Sequence, residues 1–186
     1  MDPKNYDRLI EIYEALAAHG YREVGQEYLQ NVLDTAKQLD AYDSGRIYYY
    51  LGEYQKAYLA LDEARDKGGA DSYLYLGRAY AATGDYNYAS SVYNNYLSKQ
   101  GPNAEIYNEL GLCEMAKKEY QNALAAFQAG KQIEGNSLMQ TLCFNEIVAY
   151  EYLEDYQQAE VLMNAYLQNY PDDQAAIREQ QFLSTR

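Results

Sequence analysis

Residues 70–103 read ADSYLYLGRAYAATGDYNYASSVYNNYLSKQGPN, and the spacing within them decides the fold. Leu76, Gly77 and Tyr80 stand three or four positions apart, Gly84-Asp85-Tyr86 interrupts the pattern, and Ala89, Tyr93 and Tyr96 resume it before Pro102. Apolar residues at these intervals share one face of an α-helix, so the stretch predicts two amphipathic helices joined by a tight turn. Gly84 suits the left-handed conformation that ends a helix, and Asp85 is placed to accept backbone N–H groups at the start of the next. Gly77 has no side chain where the first helix presses on its partner, and Ala89 is the matching small residue on the second. Leu76, Tyr80, Tyr86 and Tyr93 are then expected to fill the space around that close contact.

The same spacing recurs on both sides. An interval of 34 residues links Gly77 to Gly111, Ala89 to Ala123 and Tyr93 to Phe127. Upstream, Gly45, Tyr48, the break Gly52-Glu53-Tyr54, and Ala57, Leu61 and Ala64 repeat the pattern, with Gly45 lying 32 residues before Gly77. That deficit is expected just before Gly68-Gly69, where the second helix ends early. Downstream, 36 residues separate Ala123 from Ala159, and Glu146-Ile147 stands where Leu-Gly is expected, yet Tyr150, Tyr156 and Pro171 keep the longer register. The pattern resembles the tetratricopeptide repeat, a unit of about 34 residues that runs aromatic, Leu-Gly, Tyr, Ala, large residue, Pro. Tyr73 stands in the Trp slot of that signature.

The resemblance implies an all-α chain built as a right-handed superhelical α-solenoid of antiparallel helix pairs, in one domain. Repeats are expected at 3–37, 38–69, 70–103, 104–137 and 138–171, with a capping helix at 172–186, giving about eleven helices. The departures carry expectations of their own. In the first unit Asp2-Pro3 opens a helix running to His19-Gly20; the Leu-Gly pair is missing, and Val24 is read as the small residue with Tyr28 four positions on. In the fourth, Glu114 replaces the tyrosine and Lys117-Lys118 replaces the turn glycine, which predicts looser packing of its first helix. In the fifth, Ile147 in the glycine slot should spread the pair or shift its crossing. Asp172-Asp173 should cap a last helix whose apolar stripe is Ala175, Ala176, Phe182 and Leu183, covering the final repeat.

Composition bounds the function. The chain has 186 residues, a hydrophobic fraction of 48% and a formal charge of −13, so it folds and is strongly acidic. That charge opposes nucleic acid and anionic membrane surfaces as partners. No apolar run is long enough for a membrane span, and MDPKNYDRLI lacks the pattern of a signal peptide. As it stands the chain reads as cytoplasmic; a trimmed leader would make it the repeat portion of a larger exported or anchored protein. Cys113 and Cys143 are the only cysteines and His19 the only histidine. None stands at metal-ligand spacing, and no Cys-His pair, phosphate loop or nucleophile motif supports an enzyme or a cofactor. The two thiols are expected reduced and largely buried on first helices of adjacent units, with a disulfide between repeats or a reactive thiol as the alternatives. His19 is expected in an exposed turn.

What the family resemblance implies is a non-catalytic scaffold that binds a peptide or partner helix in a concave groove lined by the first helix of each repeat. Projected onto those helices, the groove residues are Tyr42, Arg46 and Tyr49, then Leu74, Tyr75 and Arg78, then Asn108, Leu112 and Met115, then Phe144 and Val148. Tyr accounts for 24 residues against 3 Phe and no Trp, and a phenol suits a surface that is both wet and adhesive. The family's clamp for a C-terminal carboxylate is not reproduced, because Arg46, Arg78, Leu112 and Val148 follow the glycine slot where that clamp carries asparagine. Arg46 and Arg78 are expected either to meet acidic groups of a bound peptide or to pair within the protein, Arg46 with Asp43 and Arg78 with Glu105 or Glu109. A self-associating assembly module, a homodimer for example, is the alternative function.

Overall fold

The computed structural model describes residues 6–36 and 39–186. Asp2-Pro3 therefore lies outside the described residues, among which there are eleven α-helices and no strand. The chain divides into two compact units, Met1–Asp85 and Tyr86–Arg186.

The first unit holds α1 (Tyr6–Ala18), α2 (Arg22–Thr35), α3 (Ala41–Leu51), α4 (Tyr54–Asp66) and α5 (Ser72–Ala82). Asp40 caps α3 by accepting from the Asp43 amide at 2.8 Å, and Gly52 ends it in the left-handed conformation, φ 78°. A methyl group added to Gly45 would meet Leu61 Cγ at 2.6 Å, so this glycine sits at a close approach of α3 and α4, as its slot predicts. Ala57, Leu61 and Ala64 are buried beneath it. The helix α4 stops at Asp66 before Gly68, φ 91°, where the shortened repeat requires it to stop.

One expectation is corrected in this unit. Val24 is 53% exposed and Tyr28 faces solvent, whereas Gly25 and Leu29 are buried. The small position of α2 is Gly25: a methyl group there would lie 2.8 Å from the Tyr13 ring. The pair α1/α2 thus packs one residue out of the expected register, around Leu9, Ile10, Tyr13, Leu29 and Ile47. His19 is exposed in the intervening turn.

The second unit holds α6 (Tyr86–Gln100), α7 (Ala104–Ala116), α8 (Tyr120–Lys131), α9 (Met139–Tyr152), α10 (Tyr156–Asn169) and α11 (Gln174–Leu183). Here a methyl group on Gly111 would fall 2.3 Å from Phe127 Cε1, the same close approach seen between Gly45 and Leu61. The large Ile147 of α9 is accommodated by a change opposite it. Met163 stands where Phe127 stood one repeat earlier, and Ile147 and Met163 are buried in one cluster with Ala159, Tyr166, Ala176 and Leu183. An unbranched, flexible Met fills the remaining space beside Ile147 that a rigid ring could not.

The turns at Lys118 and Glu154 take φ 63° and 61°, so two non-glycine residues adopt the backbone that Gly52 and Gly84 adopt in the earlier repeats. The last helix, α11, is capped by Asp173, which accepts from the amides of Ala175 and Ala176 at 3.0 and 3.1 Å. Of its expected stripe Ala176 and Leu183 are buried, while Ala175 and Phe182 are exposed. Both cysteines are free thiols, with Cys113 buried and Cys143 only half-buried, more accessible than expected. Among the described residues no three metal-binding side chains converge and no helix is long and apolar enough to cross a membrane.

Candidate functional site

In the first unit, the first helices α1, α3 and α5 present side chains to one another through a ring of tyrosines. Tyr75 of α5 sits edge-on to Tyr42 and Tyr49 of α3, with centroids 6.1 and 5.8 Å apart. Tyr50 joins them at 6.0 Å from Tyr75 and 5.1 Å from Tyr49, and reaches across to Tyr13 of α1 at 5.0 Å. Edge-to-face pairs at these spacings hold each ring by its neighbour, so the patch is pre-arranged and not a set of loose side chains. All four of Tyr42, Tyr49, Tyr50 and Tyr75 are half-buried, as is Leu74.

Arg46 is the post behind this patch. It is 6% exposed, with Nη1 donating to Asp7 Oδ1 and Nη2 to Asp43 Oδ1, both at 2.6 Å. Its guanidinium lies over the Tyr42 ring at 4.4 Å and faces Tyr75 at 5.8 Å. Burial opposes its charge, but the two carboxylates hold it protonated. The pairing with Asp43 is one of the two roles expected of Arg46; Asp7 is a partner that sequence spacing does not name, on a helix 39 residues away. Arg78 is half-buried, with its guanidinium 5.6 Å from the Tyr75 ring.

Two phenols of the patch, Tyr42 and Tyr50, are shifted upward. Burial pushes Tyr42 up to about 12, against the pull of Arg46, and burial together with a 2.5 Å hydrogen bond to Glu14 Oε1 pushes Tyr50 higher still. These hydroxyls therefore remain hydrogen-bond donors at neutral pH. Tyr50 is the residue that projection onto the groove misses. It lies one position beyond Tyr49, and its role follows from the contact with Tyr13, which sequence spacing does not encode.

In the second unit, α7 and α9 meet through Asn145 Nδ2, which donates to Asn108 Oδ1 at 2.9 Å. Asn108 is thereby buried and engaged, while Leu112 is 43% exposed. Met115 is half-buried against the cluster around Leu124 and Phe127, and Val148 is half-buried on α9. Phe144 packs edge-on against Tyr166 at 5.8 Å and walls a cleft of about 250 Å³ with Gln140, Thr141, Asn145, Tyr166, Asp173 and Ala175. Within it Gln140 donates to the Tyr166 hydroxyl at 3.1 Å, which donates in turn to Asp173 Oδ2 at 2.6 Å. That bond holds the Asp173 carboxyl below its ordinary range, and burial pushes the Tyr166 phenol up to about 12. Gln140 and Tyr166 are not legible as site residues in the sequence, since Tyr166 lies on a second helix.

The profile of the tetratricopeptide repeat family matches residues 42–89 and 76–136, together just over half of the chain. The chain is a tetratricopeptide repeat protein. No curated protein sequence matches it. Among solved structures, a thermophilic TPR protein of Thermus thermophilus is similar with a TM-score of 0.73, over 97% of this chain and 100% of its own, at 16% identity. YrrB, a TPR protein with an unusual peptide-binding site, is similar with a TM-score of 0.65 over 96% and 99%, also at 16% identity. The second TPR domain of human RPAP3, solved in complex with the HSP70 peptide SGPTIEEVD, gives 0.53 over 59% of this chain and 90% of its own, at 16% identity. At such identities the likeness is one of fold: an all-α solenoid of helix pairs.

Proposed function

We propose that this TPR protein is a non-catalytic scaffold that holds an extended or helical segment of a partner protein against the faces of its first helices. The observation that carries this is the interlocked tyrosine patch of Tyr42, Tyr49 and Tyr75. Its centroid spacings of 6.1 and 5.8 Å come close to the ~6.6 Å between alternate side chains of an extended peptide, so residues i and i+2 of a bound strand meet successive rings. The ring hydroxyls supply donors to the peptide carbonyls between them. Leu74 extends the patch, and Asn108, Leu112, Met115, Phe144 and Val148 give the second unit its own face of mixed character.

Arg78, already engaged within the protein and with its guanidinium 5.6 Å from the Tyr75 ring, would exchange that engagement for an acidic group on the peptide. Arg46, its charge balanced by Asp7 and Asp43, serves to hold the rings in place. YrrB has a peptide-binding site and the RPAP3 domain is solved with a peptide; both are similar in fold, which supports peptide as the ligand class. Selection from a displayed random-peptide library tests the reading. Sequences with alternating apolar residues are expected to be enriched on the wild-type protein and lost on a Tyr49→Ala/Tyr75→Ala variant. Weakening of the selected peptides by Arg78→Ala, with a shallower salt dependence, assigns the acidic contact. Enrichment that survives the tyrosine substitutions refutes the site, and a dimer in light scattering that the same substitutions dissolve replaces it with self-association.

A further inference from the structure

The repeat boundaries that follow α4, α6 and α8 are filled in two different ways. Where α4 meets α5, Tyr58 stacks on Tyr80, centroids 4.2 Å apart and planes within 5°. Where α8 meets α9, the corresponding residues are Leu124 and Tyr150, which pack in one apolar cluster. Where α6 meets α7, the same two slots hold Ser90 and Glu114, neither of which can replace a stacked ring. Between them opens a cleft of about 500 Å³, floored by Leu110 and walled by Asn87, Ser91 and Asn94 of α6, Lys117 at the end of α7 and Asn122 of α8. It lies wholly within the second unit. On α7, Glu114 follows Leu112 by two positions, about 200° around the helix, so the cleft faces away from the side that presents Leu112.

Glu114 gives the cleft its chemistry. The residue is only 7% exposed, and its Oε1 accepts from Ser90 Oγ at 2.8 Å and from Lys117 Nζ at 2.6 Å. A carboxylate withdrawn from water at a site that elsewhere in the chain is apolar is costly unless a cation answers it. Lys117 answers it now, from a four-carbon stem whose side chain is 21% exposed. With the lysine turned out, the cleft offers the Glu114 carboxylate, and its two serine hydroxyls and three asparagine amides can each add an acceptor oxygen, in a space that in the preceding boundary takes flat rings. An ammonium group uses such a slot poorly. A planar guanidinium, with five N–H donors in a fixed fork, fits both its shape and its acceptors.

We propose that the α6/α7 cleft is a socket for a guanidinium group, the arginine side chain of a partner segment or of free arginine, with Glu114 as its counter-ion and Lys117 as the internal cation it displaces. The socket is independent of the tyrosine patch, and the net charge of −13 draws basic ligands towards the protein that carries it. The arginine of a bound segment would place its backbone over the α6 surface between Asn87 and Asn94.

The test is a titration of the intact, isotope-labelled protein with blocked arginine (N-acetyl-arginine amide), free L-arginine, blocked lysine and blocked citrulline, following amide shifts by NMR. Blocked arginine is expected to give saturable shifts at Ser90, Asn94, Glu114 and Lys117, with citrulline weaker by about tenfold for want of charge. Glu114→Gln, close in size, should lose that preference, and Lys117→Met should tighten arginine binding by roughly tenfold because no internal cation competes. A Ser90→Tyr/Glu114→Tyr variant, which restores the stacked pair, should bind nothing and remain folded. Tighter binding of the blocked form assigns the socket to a protein partner and tighter binding of free arginine to the free amino acid. Equal responses to arginine, lysine and citrulline, or shifts that persist in Glu114→Gln, overturn the proposal.

Discussion

Replacing Gly111 by Ala isolates the contact on which helix pairing in the second unit depends. The added methyl carbon would stand 2.3, 2.6 and 2.7 Å from Cε1, Cδ1 and Cζ of Phe127, so three ring atoms contest one position. Restoring an ordinary carbon–carbon separation of about 3.5 Å requires the ring to withdraw by roughly 1 Å. Phe127 has no exposed surface, and Ala123, Leu124 and Leu142 close the cluster around it, so the displacement passes to the helices themselves. Overpacking of this kind costs about 1–3 kcal/mol, and the rigid neighbour places the cost at the upper end. Alanine recovers roughly 1 kcal/mol through its better helix propensity. The net expectation is a loss of about 2 kcal/mol, read in urea as a midpoint lower by about 1 M at an unchanged slope. Adding Phe127→Leu, which vacates the contested space, should return part of that loss, so the two substitutions couple. An unchanged or raised midpoint for Gly111→Ala would refute the close approach, because propensity alone predicts stabilisation.

Lys118→Gly should stabilise the protein by about 0.5–1 kcal/mol in urea melts, since glycine relieves the left-handed strain at φ 63° at a smaller cost in chain entropy. Burial, and then the neighbouring Glu179, raise the Glu151 carboxyl to about 7 from the 4.5 of an ordinary glutamate. The folded state therefore holds this proton more tightly than the unfolded one. Its contribution is fully present below pH 4.5 and is lost as pH rises through 7, so Glu151→Gln should add ~1 kcal/mol at pH 8, discounted for partial exposure, and almost nothing at pH 4.5. Burial pushes the Cys113 thiol up to about 12 and raises Cys143 less, so a thiol reagent at about pH 8 should label Cys143 first and Cys113 only on unfolding. Equal rates for the two would overturn the burial of Cys113.

The repeat is legible in the sequence because its defining contacts are backbone events with local signatures. Glycine at a helix crossing, glycine at positive φ in a turn and aspartate at an N-cap each leave a mark at a fixed position, as Gly45, Gly52 and Asp173 do. The α1/α2 pair lies one residue away from its expected register because two adjacent positions, Val24 and Gly25, can both serve as the small residue. Only the ring of Tyr13, 12 positions before Gly25 and on another helix, distinguishes them. The candidate site divides in the same way. Helical spacing alone puts Tyr42 and Tyr49 on one helix and Tyr75 on the next, and the structure brings their rings together, whereas the burial of Arg46 depends on Asp7, and the place of Tyr166 in the last cleft depends on the way α10 and α11 pack. Such pairings join helices whose spacing no repeat period encodes.

The departures from the repeat pattern show what the slots require. Opposite Gly45 stands Leu61, opposite Gly111 stands Phe127, and opposite Ile147 stands Met163, so the small-residue slot can be filled when the facing residue becomes slender and flexible. At the interfaces between repeats, by contrast, the pair Ser90/Glu114 replaces Tyr58/Tyr80 with less volume and more charge, beside an open cleft. A packing slot that loses volume with compensation is a neutral variation on the fold. One that loses volume, gains a buried carboxylate and stays open to solvent gives up packing free energy, and the return has to come from something that enters the space. By that reasoning the α6/α7 interface, where Ser90 and Glu114 stand in the slots of Tyr58 and Tyr80, is where the proposed guanidinium ligand would enter.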